Sequence, residues 1–132
     1  MPHRVFTVDE ANEALATVRP LAESMVEHRR TMLEAQARQE KLEGSVKGNG
    51  GGIDAEAPRL IEAEIEEAGT ELARCVEAIQ ELGAIVKDLD SGLVDFPARR
   101  HGEDVLLCWR VGEEEIRYWH GLDDGFAGRR EL

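Results

Sequence analysis

An apolar seam runs through Ile61, Ile65, Ala68, Leu72, Cys75, Ile79, Leu82, Val86 and Leu89, stepping four and three residues in strict alternation. A mean step of about 3.5 residues keeps one face of an α-helix turned toward a partner helix, and roughly three to four heptads without a break argue for coiled-coil packing. The spacing predicts a helix over Glu56 to Asp90, on the order of 50 Å long at about 1.5 Å per residue. Pro58 suits its first turn, where a missing N–H leaves nothing unpaired, and Gly92, just past Ser91, suits its end.

An earlier helix begins at Thr7. Its hydroxyl can accept the backbone N–H of Glu10 while the Glu10 carboxylate reaches back, the reciprocal pairing of a capping box, and Phe6 stands where a hydrophobic staple would. Leu15, Val18, Ala22, Met25, Val26, Met32 and Leu33 carry a broader apolar stripe that weakens beyond Leu33. Pro20 removes a backbone hydrogen bond and is expected to kink this helix near Ala16. The glycine-rich stretch from Gly44 to Gly52, within residues 44–55, is expected to be a flexible tip joining two antiparallel helices. The motif argues against a phosphate loop there, because no Gly-Lys-Ser/Thr follows and no apolar strand precedes.

After Gly92 the apolar period changes. Gly92–Pro97 reads as a short strand closed by its proline; Asp104–Val111 and Glu114–His120 read as two more, joined by a tight hairpin at Gly112-Glu113. The tail from Gly121 to Arg130 reads as loop. The expected fold class is α+β in one domain of 132 residues. A helical hairpin over residues 1–91 carries, at its closed end, a small antiparallel sheet and C-terminal loop over residues 92–132. Two helices and three strands cannot cover both apolar helix faces, so a homodimer forming a four-helix bundle is expected.

Charge narrows the partners. The chain has 28 Asp and Glu against 16 Lys and Arg, a formal net charge of -12, and no basic stripe interrupts it. Such a surface repels phosphate backbones and anionic lipid, which argues against nucleic-acid and membrane-surface binding. No apolar run approaches the roughly 18 to 20 residues of a membrane span, and Met1 to Phe6 lacks the apolar stretch of a signal peptide, so the cytoplasm is the expected location. Cys75 and Cys108 have no paired spacing and make neither a disulfide framework nor a thiolate zinc site.

Both tryptophans, the one tyrosine, two of the three phenylalanines and two of the four histidines lie between Phe96 and Phe126. That crowding marks the C-terminal third as the working part. Trp109 and Trp119, with Arg110 and Arg129, have the chemistry of a pocket for an anion or planar ligand, although aromatics in a small sheet ordinarily form its core. His120 with Asp123 and Asp95 offers an imidazole and two carboxylates, a set that suits a divalent metal ion as cofactor if the tail and the strands converge. The bland alternative is a structural hydrogen bond from His120 to Asp95 or Asp123. Cys108 reads as a packed, inert thiol, since free cysteine is among the most buried residue types, and Cys75 reads as core of the helical seam. His28 lacks the Glu-x-x-His setting of a ferritin-like site and reads as a solvated helix residue.

The segments Phe6-Thr7-Val8-Asp9-Glu10-Ala11-Asn12, Val18-Arg19-Pro20-Leu21, Gly92-Leu93-Val94-Asp95-Phe96-Pro97, Leu107-Cys108-Trp109-Arg110 and Trp119-His120, with Gly125-Phe126-Ala127-Gly128-Arg129, resemble an uncharacterised bacterial family, the domain of unknown function 2203 family. The resemblance spans nearly the whole chain apart from the hairpin tip, with departures at Ala16 and Thr17, and it implies no activity. No local signature supports catalysis. The residues alone therefore favour a structural or interaction module with a C-terminal aromatic, Arg and His surface; a metal-binding protein or metal-dependent enzyme is the alternative.

Overall fold

The computed structural model describes residues 4–49 and 56–132, and side chains are described outside 45–49. Helix α1 spans Val8–Asn49 and α2 spans Glu56–Glu81; five strands follow, β1 (Ile85–Asp88), β2 (Leu93–Arg100), β3 (Glu103–Arg110), β4 (Tyr118–Gly121) and β5 (Arg130–Glu131). The strands form one antiparallel meander in the order β1-β2-β3-β4-β5. This is the α+β class read from the sequence, a helical hairpin followed by an antiparallel sheet. Among the described residues no helix is long and apolar enough to cross a membrane.

The expected capping box starts α1. Glu10 N–H donates to Thr7 Oγ1 at 3.0 Å and Thr7 N–H donates to the Glu10 carboxylate at 2.9 Å, contacts that also hold the Glu10 carboxyl below its ordinary range. Phe6 packs edge-on against Phe96 of β2, ring centroids 5.3 Å apart, and its N–H donates to the Pro97 carbonyl at 2.7 Å. The helix continues through Pro20 as one element of 42 residues. It also runs through Gly44 to Asn49, where a flexible tip was expected; the remainder of that tip, residues 50–55, lies outside the described residues.

The seam overshot its helix. Ala68, Leu72, Cys75 and Ile79 are buried in α2 as the period requires, but the helix ends at Glu81 and Gly83 turns the chain at φ 96°. Val86 lies in β1 and Leu89 in the following turn, yet both still pack on the common core, so apolar spacing alone does not separate a fourth heptad from a short strand laid on the same surface. Gly83, not Gly92, is the stop. The sheet packs where α1 begins and α2 finishes, not at the hairpin's closed end. Asn12 Oδ1 accepts the Ile116 N–H at 2.8 Å, Arg4 Nη1 donates to the Leu82 carbonyl at 3.1 Å, and Arg19 Nη1 donates to the Glu113 carbonyl at 2.8 Å.

Three further differences lie in the strands. Pro97 does not close β2, which continues to Arg100. The Pro97 carbonyl points to Phe6, on the side where β1 has already ended, so the N–H that proline lacks would have had no ladder partner. The tight hairpin belongs to His101-Gly102, whose φ values of 53° and 81° match a two-residue primed turn between β2 and β3. Residues 113–117 are not strand, because α1 side chains take their backbone groups: Asn12 at Ile116, Arg19 at Glu113 and Glu114. The tail, expected to be loop, adds a 3-10 turn at Phe126–Gly128 and the strand β5.

Val94, Phe96, Ala98, Val105, Leu107 and Trp109 turn one sheet face into the shared core with the helices. Gly92 locks the turn before β2 into this packing. Its φ is 71°, and a Cβ there would lie 2.4 Å from Val111 Cγ2 and 2.8 Å from Val26 Cγ2, whereas Gly112, at φ 104°, has open space around it. Gly112→Ala should therefore cost about 1 to 3 kcal/mol of backbone strain alone, and Gly92→Ala should cost more by a further ~1 to 3 kcal/mol of overpacking. Urea denaturation of the two variants measures the difference.

Candidate metal centre

Strand register assembles the site. Asp95 is paired with Cys108 across β2 and β3, Cys108 with Tyr118 across β3 and β4, and His120 lies two residues beyond Tyr118. Alternate residues of a strand share a face, so Asp95, Cys108 and His120 stand together on the outer face, opposite the helices. Their exposures are 1%, 0% and 2%. One donor atom from each residue lies within 4.8 Å of the other two.

Hydrogen bonding orients the imidazole. His120 Nδ1 lies 2.7 Å from the Gly121 carbonyl; a carbonyl only accepts, so Nδ1 carries a proton. Nε2 then faces Asp95 Oδ2 at 3.1 Å, a contact that is favourable when one proton is shared between the two atoms. Asp95 Oδ1 is buried and has no hydrogen-bond partner among the described residues. An unpaired buried carboxylate oxygen is costly and marks a place where a water or ion belongs.

A family model described as Uncharacterized conserved protein (DUF2203) matches residues 4–132. The chain belongs to this family. No curated protein and no solved structure matches it. What the DUF2203 chain can do chemically must therefore be read from its own atoms.

Cys108 is no nucleophile in this state. Burial, reinforced by the Asp95 carboxylate, pushes its thiol up to about 12, and the activating pattern of a Cys-His pair is missing, because the histidine spends one nitrogen on a backbone carbonyl and aims the other at Asp95. Among the described residues the imidazole bonds to the carboxylate, and no hydrogen bond joins the imidazole to the thiol. That is a poor relay for attacking a substrate and a suitable donor set for an ion.

The residues singled out in the sequence divide between the two sheet faces. Asp95 and His120 are brought together; Asp123 is exposed on the tail and stands outside the cluster. Cys108 takes the third place, which no local motif announced; the signal was the shared strand face, readable only once the register was known. Trp109 is fully buried in the inner core, its Nε1 donating to the Glu113 carbonyl at 2.9 Å. Trp119 packs on that same side, with Arg100 and Arg130 stacked over it. Arg110 and Arg129 meet instead on the outer face around Phe126. The four do not form one pocket. His28 is half-buried on α1, in a groove with Glu64, Glu67 and Glu71.

The thiol makes a testable contribution to stability. An unfolded cysteine ionises near 9.0 and folded Cys108 near 12, so the neutral thiol contributes fully below about pH 9 and the contribution is lost as pH rises toward 12. The melting temperature of the wild type should fall more steeply over that window than that of Cys108→Ala. Below pH 8, thiol reagents should leave Cys108 unmodified until the protein unfolds, as read by mass spectrometry.

Proposed function

We propose that this protein binds a divalent transition-metal ion, zinc being the best fit, through Asp95, Cys108 and His120. The observation that carries this reading is the buried convergence of one carboxylate, one thiol and one imidazole on a rigid sheet face. A tetrahedral zinc with bonds of about 2.0 to 2.3 Å sets its ligands about 3.3 to 3.8 Å apart. The donors here, 3.1 Å apart at the histidine and carboxylate and within 4.8 Å overall, need only small side-chain movements. A thiolate donor disfavours magnesium, calcium and manganese, which prefer oxygen. The Nδ1–H bond to Gly121 is the kind of outer support that fixes a ligating histidine, leaving Nε2 for the ion.

Residue chemistry alone favours an interaction module; the buried cluster moves the weight to metal binding. Uptake must displace the proton of Cys108 and the one shared by His120 and Asp95, so affinity should rise with pH. Protein purified without chelators should contain one zinc per chain by elemental analysis, or take up one on titration. Cys108→Ala and His120→Ala should lose it, and Asp123→Ala should keep it. A wild type that neither carries nor binds zinc removes the proposal.

Self-association through the helices is proposed on narrower ground than the seam suggested. Leu72, Cys75 and Ile79 are already covered within one chain, but toward the distal end Leu60 is 66% and Leu33 41% exposed, and Ile61 and Ile65 are only half-buried. A two-fold partner laid on this end would cover them. Sedimentation at micromolar concentration should show a dimer that Leu60→Glu dissociates without unfolding; a folded wild-type monomer would sink the idea.

A further inference from the structure

Two guanidinium groups converge on one exposed ring beside the cluster. Arg110 and Arg129 place their central carbons 4.9 Å and 4.5 Å from the centroid of Phe126, and Arg129 is also stacked on Tyr118 at 3.9 Å. Tyr118 is the register partner of Cys108, so this cationic pair lies on the same outer face as the thiol. The charge of Arg129 is felt at Cys108, where it opposes the upward push of burial.

Only half of that positive charge is met. Arg129 Nη2 donates to the Glu113 carboxylate at 2.6 Å. Among the described residues no ion pair engages the Arg110 guanidinium; Glu113 Oε1 accepts its backbone N–H instead, at 2.7 Å. The Arg129 side chain is 10% exposed, yet its Nε has no acceptor among the described residues. A buried cationic N–H without an acceptor costs free energy that a native structure normally recovers from a partner. In a chain of net charge -12, two guanidinium groups over one ring, of which only that of Arg129 meets a carboxylate, leave a local excess of positive charge.

We infer that Arg110 and Arg129 bind an oxyanion, the phosphate or carboxylate group of a small molecule, with the half-open ring of Phe126 as the apolar wall of the site. Guanidinium forks match such oxygens in geometry and charge, and the unused Nε–H of Arg129 and the unpaired Arg110 are the donors that would receive them. Nothing in this step needs the metal ion. A zinc bound by the neighbouring cluster would place an anionic ligand beside a Lewis acid.

Inorganic phosphate is the probe, titrated into the full chain in metal-free and zinc-loaded forms at constant ionic strength against chloride. Nuclear magnetic resonance of the arginine Nε–H groups reads it. A saturable shift of Arg129 Nε–H is expected in the wild type, with affinity about tenfold weaker in Arg110→Gln, an exposed position whose change leaves the core untouched. Arg129→Lys should lose binding, with circular dichroism checking that it folds. The inference is overturned if the wild-type signal moves no more with phosphate than with chloride, or if Arg110→Gln binds unchanged. Phosphate binding by a protein that takes up no zinc would remove the metal reading and leave this one standing; zinc uptake without phosphate binding would do the reverse.

Discussion

The pairing register of β2 on β3 is the constraint on which both sheet faces depend. With Asp95 opposite Cys108 and Phe96 opposite Leu107, the core residues Val94, Phe96, Ala98, Val105, Leu107 and Trp109 face the helices and the polar cluster faces away. A slip by one residue would exchange the faces, burying a carboxylate against Phe6 and exposing the aromatic core. The two-residue turn at His101-Gly102 sets this register, and the inner face reinforces it. Phe96 must meet Phe6, and Trp109 must reach the Glu113 carbonyl.

The helices were readable because their signals are local. A capping box needs three intervening bonds of chain, and the α2 seam repeats often enough to declare its face. The overshoot past Glu81 shows where such signals stop: Val86 and Leu89 obey the heptad spacing because they pack on the same core, and a single glycine at 83 does not interrupt that spacing. The strands were found in kind and misplaced in extent. Pro97 read as a terminator since the side on which its missing N–H points cannot be known before β1 is placed. Residues 113–117 read as strand since their competitors for hydrogen bonds, Asn12 and Arg19, lie about a hundred positions away.

The candidate site was half legible for the same reason. Asp95 and His120 were recognisable by chemistry, and alternation placed Asp95 or Asp123 as partners for the histidine. Choosing between them required the register, which favours the residue on the strand over the one on the tail. Cys108 was recognisable as buried, but burial is the commonest state of a cysteine and carries no hint of a ligand. The role proposed for it rests on its company: a thiol packed among Leu and Val would be inert, whereas this thiol sits across one rung from a carboxylate with an unpaired oxygen.

Charge balance connects the buried cluster to the arginines beside it. Without an ion, a neutral thiol and one proton between His120 and Asp95 leave the cluster with no net charge. A dication held by a thiolate, a carboxylate and a neutral imidazole, as proposed, would also leave none. Both states are tolerable in a dry environment, where an uncompensated charge costs several kcal/mol, and exchange between them trades two protons for one ion. Arg129 is therefore not needed to neutralise the cluster in either state, and the carboxylate it does contact, Glu113, is shared with the backbone of Arg110. The excess positive charge on the outer face has no structural debtor within the described residues, and a ligand bearing negative charge is the simplest way to account for two arginines held around one exposed ring in an acidic protein.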